Sequence, residues 1–469
     1  MFADKAIAKT LSKFKHTATA ENANSKLEEL RFSIAKYTAE QTVRDFYLEA
    51  NFELVYQDKL LTFEKSIRYL SEEKPKNNLP KLRFPGFNES YQFFEVNEIG
   101  KVQTGNTPST KVKEYWSRED DQRKHKWVTP SDINSPTIEN TKRTLTDLGW
   151  EKARKVPANS LLITCIASIG KNTINTVPTS FNQQINSLTA KKGFDVYYLL
   201  TSFNKNTKKL IRAGASSITN IVNKTQFESF TLRLPKDYKE QQKIGKFFKE
   251  VDDKITSLQN ALSKSKELKR TLIYKLLFVQ NNSQPDLRFS GFNKYWKKGE
   301  LYSIFDYFKI GKIDNISRLS QEKTEEFRYP VYSSKTSNNG ICGYFDTYSF
   351  ENSITWTTDG EYAGDVKYRE GKFQASIHCG IMISNRGFSC VSIAEILNRI
   401  AYRYATRANI PRVGMGTLKQ IVISYPQGTE ELQKLNCLFT DINNLIYTYE
   451  ATLKQHKKFK QALVQRMLV

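Results

Sequence analysis

Two stretches of the chain repeat apolar residues at steps of three and four. In the first, the stripe runs Ile244, Phe247, Phe248, Val251, Ile255, Leu258 and Leu262. After a polar interruption at Ser265-Lys266 it resumes with Leu268, Leu272 and Leu276. In the second it runs Leu435, Leu438, Phe439, Ile442, Ile446, Tyr449 and Leu453, then Phe459, Leu463 and Met467. That spacing keeps one face of an α-helix apolar. Neither stretch contains proline, so each is predicted to run as one helix, over 237–280 and 429–469. The 39 residues from Glu240 and from Glu431 would each span roughly 58 Å at about 1.5 Å per residue. The stripes are narrow and the remaining faces polar, which suits a helix packed on a similar helix. The predicted packing residues are Phe248, Val251, Ile255, Leu258 and Leu262 in one, and Phe439, Ile442, Ile446, Tyr449 and Leu453 in the other. Two amphipathic helices, each lying on its own domain, remain the alternative.

The chain around these helices changes period. Leu161–Ile166, Phe230–Leu234, Ile354–Thr357, Ile381–Ser384 and Ile421–Tyr425 are short apolar runs that predict strands. Thr104-Gly105-Asn106-Thr107-Pro108-Ser109 and Ser337-Asn338-Asn339-Gly340 carry turn residues. Two mixed domains are therefore expected, over 79–236 and 281–428, the second opening on the polar linker Asn281-Asn282-Ser283-Gln284-Pro285. Residues 1–78 stand apart as a helical N-terminal extension. It has helical patterns at Leu27–Tyr37 and Val43–Tyr69 and a linker at Lys74-Pro75-Lys76-Asn77-Asn78.

The chain also repeats itself. Glu240 falls on Glu431 at a shift of 191 positions, and from there 39 residues align without a gap, ten of them identical. Pro80-Lys81-Leu82-Arg83-Phe84-Pro85-Gly86-Phe87-Asn88 matches Pro285-Asp286-Leu287-Arg288-Phe289-Ser290-Gly291-Phe292-Asn293 at a shift of 205, with seven of nine positions identical. The order is thus short motif, globular segment, long helix, twice over. The fold class is α+β: two similar mixed α/β domains separated by two long helices, with an antiparallel coiled coil and pseudo-twofold internal symmetry expected.

Composition narrows the chemistry. Lysine and arginine number 72 against 49 acidic residues, a net charge of +23, which favours a polyanionic partner such as nucleic acid. The five cysteines, Cys165, Cys342, Cys379, Cys390 and Cys437, form no CxxC pair, so neither a disulfide framework nor a zinc site is indicated. They fit reduced thiols in a cytoplasmic protein. Asp4, Lys5 and Lys9 interrupt the first apolar residues, and no apolar stretch is long enough to span a bilayer, so neither a signal peptide nor a membrane contact is expected.

Four motifs, in this order and with this duplication, resemble the specificity subunit of type I restriction-modification systems. They are Leu-Arg-Phe-x-Gly-Phe at 82–87 and 287–292; Thr104–Ser109 followed by Trp127-Val128-Thr129-Pro130-Ser131-Asp132-Ile133; Gly214-Ala215-Ser216-Ser217-Ile218-Thr219-Asn220-Ile221; and the Glu-x-Gln-Lys helix start at 240 and 431. The resemblance covers about 79–469 and does not extend to the first 78 residues. It implies two target-recognition domains, each reading one half of a split double-stranded DNA site. It implies docking of two adenine methyltransferase (M) subunits and further assembly with restriction (R) subunits. It also implies a non-catalytic chain, with S-adenosylmethionine, ATP and Mg used by the partners and no cofactor here.

Base readout needs amide or forked side chains at groove edges, and phosphate contacts need loop cations. The candidates in the first domain are Asn106, Ser131, Lys171, Asn182, Gln183, Gln184, Ser217 and Lys224. In the second they are Lys312, Lys335, Lys367, Arg369, His378, Arg407 and Arg412. Thr358–Asp365 is expected to form a tight turn in the place held by Ser168–Lys171. A solvated surface role is the competing reading for each one.

An amino-methyltransferase would need an Asn/Asp-Pro-Pro-aromatic motif, and the chain has no Pro-Pro. No GxGxxG or GxxxxGK[ST] loop occurs, and His16, His125, His378 and His456 have no metal spacing. A nuclease or methyltransferase, and a coiled-coil scaffold without sequence preference, are the alternatives from other classes. A methylation-only system is a nearer variant.

Overall fold

The strand Gln92–Glu95 pairs antiparallel with Thr231–Leu234, and Lys297–Glu300 pairs antiparallel with Val422–Tyr425. These are the same ribbon made twice. Its leading strand repeats at the shift of 205 and its trailing strand at the shift of 191, as in the sequence motifs. A four-residue helix follows each leading strand, Val96–Ile99 and Leu301–Ile304, and a five-residue helix precedes each trailing strand, Lys224–Glu228 and Met415–Lys419.

These elements belong to a computed structural model, which describes residues 79–118, 124–214, 221–279, 284–313, 316–334, 337–406 and 409–469. The extension 1–78, most of the linker and the candidates Ser217, Lys335 and Arg407 lie outside the described residues. The described chain divides into two modules. The first comprises residues 79–260 with Glu450–Val469, and the second Ala261–Tyr449.

In the first module a five-stranded sheet orders its strands Gly100–Thr104, Ile185–Ala190, Leu161–Thr164, Asn172–Asn175 and Thr137–Ile138. Leu161–Thr164 is buried throughout, as its continuous apolar run requires of a central strand. The 19-residue helix Val196–Gly214 covers this core with Tyr198, Leu199 and Phe203. A second sheet of four short strands, ordered Arg143–Leu145, His125–Val128, Thr179–Phe181 and Lys155–Val156, has no counterpart among the described elements of the other module.

The second module holds a six-stranded sheet, ordered Tyr307–Ile310, Cys379–Ile383, Phe350–Thr357, Val366–Ala375, Tyr329–Tyr332 and Ile341–Phe345. Only Tyr329–Tyr332 and Val366–Ala375 pair in parallel. Here the covering helix is short, Val391–Asn398, but nearly all buried.

The two long helices are Tyr238–Leu277 and Thr429–Met467, close to the bounds that periodicity predicts. Each contributes to both modules. In the first module Ile244 and Phe248 share a core with Met467 and Leu468, and Leu463 packs against it. In the second, Leu272 and Leu276 share a core with Leu435, Leu438, Phe439 and Ile442, with Ile446 packed against it. Of the predicted packing residues, Phe248, Ile255, Leu258, Phe439, Ile442 and Tyr449 are buried, and Val251, Leu262, Ile446 and Leu453 are half-buried.

The stripe is less apolar than the sequence suggests. Asp252 is buried, accepting from Tyr197 Oη at 3.0 Å and Lys460 Nζ at 2.5 Å. Burial, and then the Asp252 charge, raise the pKa of Tyr197 above the ordinary phenol range. Ser265, part of the apparent polar interruption, is also buried and returns its hydroxyl to Ala261 O at 2.9 Å.

Candidate nucleic-acid interface

Each module gathers the loops that carry the candidate residues, and the backbone bonds that gather them are the same in both. In the first, Cys165 N donates to Gln184 O at 2.8 Å, Val222 N donates to Cys165 O at 2.9 Å, and Ile166 bridges Ile221. In the second, Thr358 N donates to His378 O at 3.1 Å, Val413 N donates to Thr358 O at 2.8 Å, and Asp359 bridges Arg412. Gly105 N donates to Ile185 O at 3.1 Å, and Gly311 N donates to Cys379 O at 2.9 Å. Ile166, Gln184 and Ile221 therefore occupy the backbone positions of Asp359, His378 and Arg412. The frame repeats, and the side chains it carries do not.

Both glycines are forced by close approach. A Cβ on Gly105 would meet the carbonyl oxygens of Phe181 and Asn182 at 2.2 and 2.3 Å; one on Gly311 would meet Ser376 O at 2.4 Å. Neither residue has a positive φ, so what the positions need is space.

Several first-module candidates are tied up locally. Asn106 bonds both ends of its amide within the fold: Nδ2 donates to Lys152 O at 2.9 Å, and Oδ1 accepts from Arg154 N at 2.7 Å. Asn182 is buried, donating from Nδ2 to Gln184 Oε1 at 3.0 Å and accepting Gln184 N at 3.1 Å. Asn182 is thereby turned inward, a correction to the surface amide that sequence suggests, while Asn106 stays half-buried at the loop. Gln183 is exposed, its Oε1 accepting from Thr107 Oγ1 at 2.6 Å. Ser131 is exposed beside Thr129, and Lys171 is exposed on the turn after Leu161–Thr164. Lys224 sits on Lys224–Glu228 and pairs with Glu228 at 3.3 Å.

In the second module Thr358–Asp365 is the expected tight turn. Gly360 and Gly364 have φ of +96° and +89°, the left-handed region that glycine adopts without penalty. Exposed Lys312 follows Gly311, and Lys367 pairs with Asp365 at 2.9 Å. Exposed Arg412 lies alongside Asp359, whose Oδ1 is 2.7 Å from His378 Nδ1.

Arg369 departs from the surface role that its charge suggests. It is only 5% exposed, donating from Nε to Thr355 Oγ1 at 3.0 Å and from Nη1 to Asn339 O at 2.7 Å, with its guanidinium 3.8 Å from the Tyr332 ring centre. Burial lowers its pKa, opposed chiefly by Tyr332. Alternation along Val366–Ala375 turns it inward, where it fastens strands together.

The residues 88–269 and 293–462 match the model of the type I restriction modification DNA specificity domain, two copies that together cover most of the chain. The chain belongs to that family. Relatives agree in kind. The chain is 33% identical over 135 residues to the type I restriction enzyme MpnII specificity subunit of Mycoplasma pneumoniae, covering 28% of this chain and 41% of that one. It is 22% identical over 345 residues to the type I restriction enzyme EcoprrI specificity subunit of Escherichia coli, covering 71% and 83%. The chain spans about half the length of the first curated relatives it matches, 43% of one and 56% of another. A crystal structure of the type I restriction-modification S subunit from M. genitalium shares the fold, with a TM-score of 0.65 at 13% identity over 83% of this chain and 99% of that one.

Within these specificity domains the sequence reading missed the apolar surface. Tyr362, Ile377, Tyr402, Tyr404 and Ile410 are exposed on the second domain's loops and their neighbours. In the first domain the exposed Arg143 guanidinium lies 3.6 Å from the Trp116 ring centre. Loop hydrophobics carry no periodic signal, so only their placement exposes them. No group of His, Cys, Asp and Glu suited to a metal occurs among the described residues, and no described helix is long and apolar enough to cross a membrane.

Proposed function

We propose that this chain is the non-catalytic DNA-specificity subunit of a type I restriction-modification complex. Each module reads one half of a split site in double-stranded DNA. The observation that carries this reading is the repeated loop frame. The same backbone bonds present Ile166, Gln184 and Ile221 in one module and Asp359, His378 and Arg412 in the other. A reader of two different half-sites needs one scaffold with two sets of side chains. The net charge of +23 suits a polyanion.

The exposed candidates, Ser131, Lys171, Gln183, Lys224, Lys312, His378 and Arg412, are proposed as DNA contacts, with the partly covered Gln184 and Lys367 beside them. Asn106, Asn182 and Arg369 are proposed as the residues that hold those loops. The two long helices are proposed to pair antiparallel as a spacer that sets the unread gap. Two adenine methyltransferase subunits would dock on this chain, with restriction subunits in the larger assembly. S-adenosylmethionine, ATP and Mg would act in those partners, in the cytoplasm.

A map of methylated adenine in the host genome, with and without this gene, tests the reading. Loss of one split motif on deletion is expected. An unchanged map in a strain that expresses the chain with its methyltransferase would overturn it.

A further inference from the structure

The geometry points to His378, oriented by Asp359, as a base-reading group of the second module that accepts a hydrogen bond from an exocyclic amine, adenine N6 or cytosine N4. This rests on the DNA-reading function proposed above and assigns a chemical role within it.

Asp359 Oδ1 lies 2.7 Å from His378 Nδ1, and the two side chains are 33% and 48% exposed. A carboxylate can only accept, so it fixes the proton on Nδ1. Nε2 of the neutral ring is then left with its lone pair, an acceptor directed by a fixed tautomer. The pair is held at the backbone as well. Thr358 N donates to His378 O, and Gly360 N donates to Pro411 O at 3.0 Å.

The surroundings distinguish a base edge from a phosphate. A carboxylate beside the imidazole repels a phosphate and favours an amine donor on a base edge over an acceptor. Tyr362, Ile377 and Ile410, exposed on the same knitted loops, supply apolar surface of the kind that meets a thymine methyl group or a base face. The first module carries Ile166 and Gln184 at the equivalent positions, with no carboxylate–imidazole pair, as expected if it reads different bases.

The test uses the full chain purified from its host with its bound subunits, and a pool of duplexes randomised over both half-sites and the gap. Selection should return a split motif for the wild type. His378→Ala and Asp359→Ala should both lose preference at one shared position of one half-site, with the other half-site and the gap unchanged. Asp359→Asn, whose amide oxygen can still accept from Nδ1, should restore that preference.

The chemical assignment is read with base analogues. Replacing the assigned adenine by purine, or the cytosine by its 4-deamino analogue, should weaken wild-type binding about tenfold. His378→Ala should be indifferent to it. Equal weakening of both proteins, an unchanged motif in both alanine variants, or uniform loss at every position would overturn the inference. Should His378→Ala melt earlier than the wild type, His378→Phe, which keeps the ring and removes the acceptor, is read by the same criteria. A wild type that selects no split motif would overturn the functional reading itself, and this inference with it.

Discussion

Arg83 donates from Nε to Glu240 Oε1 at 2.7 Å, joining the Leu-Arg-Phe motif to the first turn of a helix 157 residues later. Arg288 makes the same bond to Glu431 at 2.8 Å. Glu240 is 1% exposed and Glu431 3%. Each also accepts from the arginine Nη2 and from an aromatic donor, Tyr91 Oη at 3.1 Å in one module and Trp296 Nε1 at 3.3 Å in the other. The two most legible repeated motifs are thus the two halves of one clasp. Burial first, and then Glu240, raise the pKa of Tyr91, so that residue stays a neutral donor.

Removing one partner of a buried pair leaves the other as an uncompensated charge. Arg83→Met should therefore destabilise the first module by about 3 kcal/mol, and Arg288→Met should do the same to the second. The double variant Arg83→Met/Glu240→Leu should recover most of that loss. Denaturant unfolding followed separately in each module checks the pattern.

Gly105→Ala and Gly311→Ala should act on recognition as well as on folding. The added methyl would push the 181–184 loop in one case and the 375–376 turn in the other. Each variant should bind its own half-site about tenfold more weakly, at a repacking cost of about 1–3 kcal/mol. Competition with duplexes altered in one half-site at a time separates the two.

If the paired helices set the gap, adding one turn to both should lengthen it by about 5.4 Å, roughly one to two base pairs. The methylated motif of that variant reports the gap directly. Unchanged spacing would rule out the ruler.

The thiols should divide by environment. Burial pushes Cys165 and Cys379 up to about 12 and Cys390 up to about 11. At pH 8 these three should resist alkylation in the folded protein, while exposed Cys437 reacts. Mass spectrometry after brief iodoacetamide treatment, with and without denaturant, gives the comparison.

Periodicity and repetition revealed the long helices and five of the strands, but not the covering helices Val196–Gly214 and Val391–Asn398 or the four-stranded sheet. The long helices, the central strands and the two copies of the Leu-Arg-Phe motif appear at the expected positions, because apolar stripes and repeats survive in a linear reading. The site was legible only as loops. Arg369 looks like a surface cation until strand alternation turns it onto Tyr332, and Asn182 looks like a base reader until its amide meets Gln184. The Asp359–His378 pair joins residues 19 apart that no spacing rule links. The clasp was visible as two motifs, but its closure over 157 and 143 residues was not.

The cores shared by the long helices have a consequence for the order of folding. Among the described residues, the second module is made from one run of chain, Ala261–Tyr449. The first module, although synthesised earlier, draws Leu463, Val464, Met467 and Leu468 into its core. Lys205 Nζ donates to Leu468 O at 2.5 Å, and Leu82 N donates to Arg466 O at 2.9 Å. The second module can therefore close from its own run of chain, while the first needs residues 450–469 to complete its core. A nonsense codon near position 450 would damage the module that lies farthest upstream of it.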